Sequence, residues 1–354
     1  MKIIALYNHK GGVSKTTSTF NLASYFADAG KKVLMVDADP QCNLTEIALA
    51  TTIARLDAAA EEVKATKAAI PELPGTTVLD ALSQRIRGDA AFIDLGKIET
   101  VDVAANLSLL RGSVDLSSIE DDLAEAHLQR LAMRTNLMRT YVATGDFLVR
   151  LAEKKGYDYI FIDVGPSSGA LTRTFFLVCD AFFMPVAPDR FNVQAIATLS
   201  AIIDRWISDH ALVRKQYEDL GLPIRRGAPA FLGAIVQAFK LYAGRPKPGY
   251  KLWMDRLPKE IVGKLKPVML KHGKDLFLPT ARKSIAVEIP DFNQLAPLMQ
   301  EVGVAVFNIK QQDTARITKS GKPWVGNNWT QAETRMADYK ERFAKIAAIA
   351  EEMG

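Results

Sequence analysis

Between an apolar run at residues 3–7 and an amphipathic stretch at 16–29 lie Lys10-Gly11-Gly12-Val13-Ser14-Lys15-Thr16-Thr17. Glycines in that position let the backbone curl until successive N–H groups converge, the arrangement that phosphate oxygens need. A helix opening near Lys15 adds the positive end of its dipole. Lys15 has the reach to meet β- and γ-phosphates, and the Thr16 hydroxyl suits Mg²⁺. The GxGxxG spacing of dinucleotide sites is absent, so the chemistry favours a nucleoside triphosphate.

The rest of the chain continues the alternation of strand and helix. Phe20, Ala23, Phe26 and Ala27 share one side of the first helix, and Gly30 stops it. Apolar runs at 33–36, 107–110, 159–162, 181–186 and 231–236 read as strands buried on both faces. The expected fold class is therefore α/β, a P-loop NTPase with a mostly parallel twisted sheet, helices on both faces and helical insertions. Residues 1–354 read as one domain. Within it, 51–75 is an Ala/Glu/Lys-rich helical addition closed by Pro71 and Pro74. A second helical tract spans 117–155, with Ile119, Leu123, Ala126 and Arg130 at helical spacing. Near the end, 331–353 places Met336, Tyr339, Phe343, Ile346 and Ala350 on one face, which predicts a helix docked on the core rather than on a membrane.

Composition narrows the class further. With 48% hydrophobic and 24% charged residues, disordered and collagen-like chains are excluded. Two cysteines, Cys42 and Cys179, lack CxxC spacing and are too few for a disulfide framework. No uncharged stretch approaches the ~20 residues that span a bilayer, and no cationic leader opens the chain. A cytoplasmic protein without membrane attachment is expected.

The loop resembles the deviant Walker A motif, KGGxGKT[ST], of the ParA/MinD family of P-loop ATPases, with Ser14 in place of the family's glycine. Two more segments carry the resemblance. Asp37-Ala38-Asp39-Pro40-Gln41-Cys42-Asn43 is similar to the family's DxDPQxN switch. Residues 157–167 are similar to a Walker B strand and switch II, with Gly165-Pro166 where Pro-Pro is usual. The resemblance implies ATP and Mg²⁺ as cofactors. Gly11, Gly12, Val13, Ser14, Lys15, Thr16 and Thr17 would then hold the nucleotide. Thr16, Asp39 and Asp163 would serve the metal. Lys10 would cross the interface of an ATP-bound homodimer, and Asp39 would orient the attacking water. A carboxylate beside Mg²⁺ is a weak base, so orientation suits Asp39 better than proton abstraction. Both Asp37 and Asp39 also fit a simpler role as caps of the next helix. Residues 185–189, with Pro188, are similar to the family's loop near the base.

The net charge of +5 is unevenly spread. Residues 240–283 hold twelve lysines and arginines against Asp255, Glu260 and Asp275, so this segment is +9 and the remainder is −4. Lys251, Lys259, Lys264, Lys266, Lys271 and Lys274 are candidate contacts to DNA phosphates, and Tyr242, Tyr250 and Trp253 are interleaved with them. The competing reading is a solvated helical face, with Leu252, Leu257, Ile261, Leu265 and Leu270 docking its other side. No motif for sequence-specific DNA reading is present. The resemblance implies a slow, partner-stimulated ATPase that binds non-specific DNA in its ATP state and positions a plasmid or chromosome locus, with a ParB-like stimulating partner and a place on the nucleoid. The alternative is an ATPase switch subunit in a regulatory, defence or protein-cargo positioning complex. A reductase with a bridging iron–sulfur cluster would need cysteines at the switch loops.

Overall fold

In the computed structural model, which describes residues 1–64, 72–88, 90–279 and 284–353, the first apolar run forms β1 (Lys2–Leu6) near the middle of an eight-stranded sheet. The sheet also contains β2 (Val33–Ala38), β3 (Val101–Ala104), β4 (Leu107–Leu110), β5 (Tyr159–Val164), β6 (Ala181–Val186) and β7 (Ala230–Val236). A separate hairpin, β8 (Leu241–Tyr242) with β9 (Arg245–Pro246), precedes the last sheet strand, β10 (Ile285–Glu288). The order is β10-β7-β6-β1-β5-β2-β4-β3, and every pairing is parallel except that of β3 with β4.

All six residues of β2 and of β6 and all seven of β7 are buried, as strands covered on both faces must be. Register brings the carboxyl ends of three strands level. Leu6 lies opposite Asp163, and Asp163 lies opposite Asp37. In open α/β sheets such a line of strand ends is where ligands sit.

Helices α1 (Lys15–Asp28), α2 (Asn43–Ala48), α3 (Ala50–Lys64) and α4 (Val78–Ile86) occupy the first part of the chain. The expected helix over 51–75 is realised in α3, but 72–75 is not helical and 65–71 lies outside the described residues. The tract over 117–155 is not one helix. A 3₁₀ turn (Val114–Ile119) leads into α5 (Glu120–Leu128), and α6 (Thr135–Lys155) begins only after a break. No Gly or Pro marks the break, yet Met133 takes a left-handed φ of 56°. Tertiary bonds hold it: Tyr217 Oη donates to Arg130 O at 2.9 Å, and the Arg130 guanidinium pairs with Asp209 at 3.0 Å.

Farther on come α7 (Ala170–Val178), α8 (Arg190–Asp219), α9 (Pro248–Met254), α10 (Leu257–Glu260), α11 (Lys266–His272), α12 (Leu295–Val302) and α13 (Asn327–Glu351). The carboxy-terminal expectation holds. Met336, Tyr339, Phe343, Ile346 and Ala350 of α13 are buried, with the helix against α1 and β10. Each large apolar side chain buried this way contributes on the order of 1.5–3 kcal/mol. No helix among the described residues is long and apolar enough to cross a membrane.

Candidate nucleotide site and basic surface

The loop after β1 is shaped by its backbone. Gly12 has φ +70°, and Ser14, the first residue outside α1, has φ 56° and ψ 35°. A serine thus adopts the left-handed geometry for which the related motif uses glycine, at a cost of roughly 1 kcal/mol. Asn8 anchors the entry: its amide donates to Pro185 O at the end of β6 at 2.8 Å, and its Oδ1 accepts from Lys10 N at 3.1 Å. Inside the curl, Lys15 Nζ donates to Lys10 O at 3.1 Å, and only 7% of Lys15 is exposed. Burial lowers its pKa, while Asp163 and Asp39 oppose that shift.

Gly11, Gly12, Val13, Ser14, Lys15, Thr16, Thr17 and Asp39 line one open cleft of about 820 Å³. Its opposite wall comes from α12, through Pro297, Gln300 and Glu301, and from α2, through Glu46 and Ile47. No periodicity pointed to these wall residues, because they reach the loop only through the fold. Gln41 and Asn43, also in the wall, do belong to the switch motif. Lys10 and Pro188 are not among the lining residues. Pro188 is buried just beyond the end of β6.

The three aspartates have separate environments. Asp163 is fully buried, and among the described residues neither carboxylate oxygen has a hydrogen-bond partner of good geometry, the Thr16 hydroxyl being its near neighbour. Burial, reinforced by the charge of Asp37, pushes its pKa up to about 8, with Thr16 and Lys15 pulling the other way. Asp37 Oδ2 accepts from Thr45 N at 2.8 Å and Thr45 Oγ1 at 2.6 Å. It therefore caps α2 from the preceding strand, where Cys42, at the cap position, makes no side-chain capping bond. Burial pushes Asp37 up to about 6 despite those bonds.

Asp39 is held differently. Its Oδ1 accepts from Gln41 N at 3.0 Å, which tightens the turn into α2 and turns the carboxylate towards the cleft. A Cβ on Gly165 would lie 3.2 Å from that oxygen, so the Gly165-Pro166 pair gives Asp39 the space it occupies. Pro166 also lines the cleft, facing Gly11.

This donor set fits a phosphate-bound divalent cation. An orphaned, buried carboxylate lies beneath a threonine hydroxyl and beside a buried lysine. An anion so poorly solvated gains most from a nearby positive charge. The cysteines do not resemble a cluster site. Burial raises both thiols, Cys42 to about 12, and Cys179 is buried at the end of α7.

The basic segment forms β8, β9, α9, α10, a π-helical turn (Ile261–Leu265) and α11. Leu257, Ile261, Leu265 and Met269 are buried and seat the unit beside α8. Leu252 and Leu270, expected on the docking side, are instead exposed. Lys259, Lys264 and Lys274 are exposed without an ion pair among the described residues, whereas Lys251 pairs with Asp255 and Lys271 with Asp204. Lys266 Nζ sits 5.6 Å from the centre of the Phe277 ring. Tyr242 is 76% exposed, while Tyr250 and Trp253 pack partly against the core. Arg282 and Lys283 lie outside the described residues.

Known proteins resemble this chain in sequence and in fold. The family described as an AAA domain (AAA_31) matches residues 1–213. Sporulation initiation inhibitor protein Soj of Bacillus subtilis is 30% identical over 198 residues, covering 56% of this chain and 63% of its own. Chromosome partitioning protein ParA of Caulobacter vibrioides is 28% identical over 211 residues, covering 58% and 63%. The chain thus spans less than two thirds of the length of these curated relatives. A crystal structure of a Corynebacterium diphtheriae protein superposes with a TM-score of 0.60 at 26% identity, covering 86% of this chain and 97% of that one.

Proposed function

Because the chain belongs to the ParA/MinD family of P-loop ATPases, whose AAA-domain match takes in its first 213 residues, we propose that it is an ATP-dependent partition switch. In this reading it binds and slowly hydrolyses ATP, dimerises in the ATP state, holds DNA without sequence preference, and positions a cargo such as a plasmid or chromosome locus. A ParB-like partner stimulates turnover. The observation that carries the reading is the convergence of Lys15, Thr16 and Asp39 on one cleft, with the orphaned Asp163 carboxylate beneath them.

The residues divide the work. Backbone N–H groups of residues 11–16 and the amino end of α1 take the phosphates. Lys15 neutralises them, and Lys10 is free to serve a partner subunit's nucleotide. Thr16 and Asp163 would hold Mg²⁺, which neutralises charge developing on the phosphates. Asp39 orients water, its carboxylate kept in place by Gln41 N and Gly165. Lys259, Lys264 and Lys274, with Lys251, Lys266 and Lys271 beside them, supply the phosphate-seeking surface. The names of the Soj and ParA relatives, which speak of sporulation control and chromosome partitioning, support this assignment.

The test is binding of a random DNA duplex, followed by fluorescence anisotropy in the apo, ADP and ATP states across a salt series. ATP alone should confer binding, and binding should weaken steeply with salt. Equal affinity in all three states sinks the proposal. Replacing Lys259, Lys264 and Lys266 together should lower affinity. Lys15→Ala should abolish nucleotide binding, and Asp39→Ala should keep nucleotide and trap the dimer.

A further inference from the structure

Helix α7 follows the Asp163 loop, and its cap residue, Gly169, has no side chain to close the helix. The closing group comes from elsewhere. Glu120, the first residue of α5, accepts from Ala170 N through Oε1 at 2.6 Å and from Leu171 N through Oε2 at 3.0 Å. One carboxylate from α5 thus closes the positive end of α7. A Cβ on residue 169 would collide with that carboxylate, so glycine there is part of the same arrangement.

Residues 164–169 are consequently held at both ends. At entry, β5 is locked in register between β1 and β2. At exit, Glu120 holds α7. Ser167 adds a bond to Thr172 at 2.7 Å. The span between carries Gly165, which makes room for Asp39, and Pro166, which faces Gly11. Helix α5 is itself clasped to α7 farther along. His127 Nε2 lies 2.8 Å from Thr174 Oγ1, and Asp209 binds both Arg130 and Arg173 at 3.0 Å.

We propose that Glu120 is a positioning residue for ATP turnover: by closing α7 it sets the exit of the Asp163 loop and thereby the placement of Asp39 and Pro166 over the phosphates. This rests on the ATPase reading above. Glu120 is not among the residues lining the cleft, so its loss should act on the catalytic step rather than on affinity. A charge-assisted bond of this kind is stronger than a neutral one, and a neutral acceptor of the same shape keeps part of it.

The experiment compares wild type, Glu120→Ala, Glu120→Gln and Gly169→Ala, with Lys15→Ala as the blank. Steady-state ATPase assays give kcat and KM, and hydrogen exchange follows peptides covering 164–171 in the ATP-bound protein. Glu120→Ala should lower kcat at least tenfold with KM within twofold, and exchange at 164–171 should rise by a similar factor. Glu120→Gln should recover kcat to within threefold of wild type. Gly169→Ala, whose Cβ pushes the flexible carboxylate aside without removing it, should shift kcat and exchange in the same direction by a smaller factor. Unchanged kcat and exchange in both alanine variants overturn the proposal, as does a loss that follows only a lower melting temperature without the kcat-against-KM split or glutamine rescue. If wild type matches Lys15→Ala in turnover, the ATPase reading fails, and exchange at 164–171 still decides whether Glu120 holds the loop.

Discussion

Gly165 and Asp39 are fitted to each other: a methyl group on Gly165 would stand 3.2 Å from Asp39 Oδ1 and 3.3 Å from its Cγ. Two loops that are far apart in sequence therefore share one small volume. Gly165→Ala should displace the Asp39 carboxylate by a few tenths of an ångström. The expected result is a five- to tenfold lower kcat for ATP with nucleotide affinity within twofold, because misplacement at the reacting end weakens chemistry before binding. Steady-state turnover beside titration with a fluorescent ATP analogue measures both, and unchanged turnover would show that Asp39 tolerates the crowding.

Ser14 holds the left-handed conformation without a side-chain capping bond among the described residues. Ser14→Gly removes that strain but adds freedom to the unfolded chain, and the two effects oppose each other. Stability in urea should therefore stay within about 0.5 kcal/mol of wild type, with nucleotide binding retained. A β-branched residue is a different matter, since it strongly resists positive φ. Ser14→Val should cost about 2 kcal/mol and weaken ATP binding in the same titration.

His127 should make the fold acid-sensitive. Burial, with Arg173, His210 and Arg130 adding to it, pulls its pKa down to about 3, against an unfolded value near 6.5. The unfolded state thus binds the extra proton first as pH falls. The stabilisation is complete above pH ~6.5 and is lost progressively towards pH 3, by up to about 1.4 kcal/mol per pH unit. His210, also lowered by burial, adds to the slope. Unfolding midpoints recorded from pH 7 to 5 should fall less steeply in His127→Gln. Parallel curves for the two proteins would contradict this account.

The basic surface should contribute unequally to DNA binding. Lys251 and Lys271 already have carboxylate partners, whereas Lys259, Lys264 and Lys274 have none among the described residues. Each phosphate contact contributes about 0.9 to the slope of log affinity against log salt. Replacing the three unpaired lysines by alanine should lower that slope by about 2–3, and replacing the two paired ones by less than 1. Equal losses in the two sets would mean that DNA breaks the intramolecular pairs.

The residues that were legible in sequence acted through local rules. The loop at 10–17, the buried strands at 33–36, 159–162, 181–186 and 231–236, and the apolar face of α13 all appear where hydrophobic patterning put them. Lys15, Thr16 and Asp39, singled out by the loop chemistry and the family resemblance, line one cleft. Strand β3 escaped notice because four residues alternating half-buried and exposed at a sheet edge leave little pattern. The break between α5 and α6 was hidden for another reason: residues 129–134 contain no helix breaker, and bonds from Tyr217 and Asp209 impose the turn. Glu120, Pro297 and Gln300 could not be found by any periodicity, since their importance comes from partners tens or hundreds of positions away. The resemblance set Asp39 apart from Asp37, and the two sit differently: Asp37 caps α2, while Asp39 faces the cleft.

Helix α8 ties the end of a central strand to the basic unit. It starts at Arg190, just past the end of β6, and runs unbroken for 30 residues, about 45 Å. Asp204, roughly 21 Å along it, grips Lys271 and His272 of the basic unit at 2.8 and 2.7 Å. The connection has no joint in which motion could be lost. A tilt of the first turn of α8 would reach the lysine-bearing face as a lever's swing, with amplitude growing in proportion to distance, so a sub-ångström adjustment at the end of β6 becomes a re-aiming of charge at the far end.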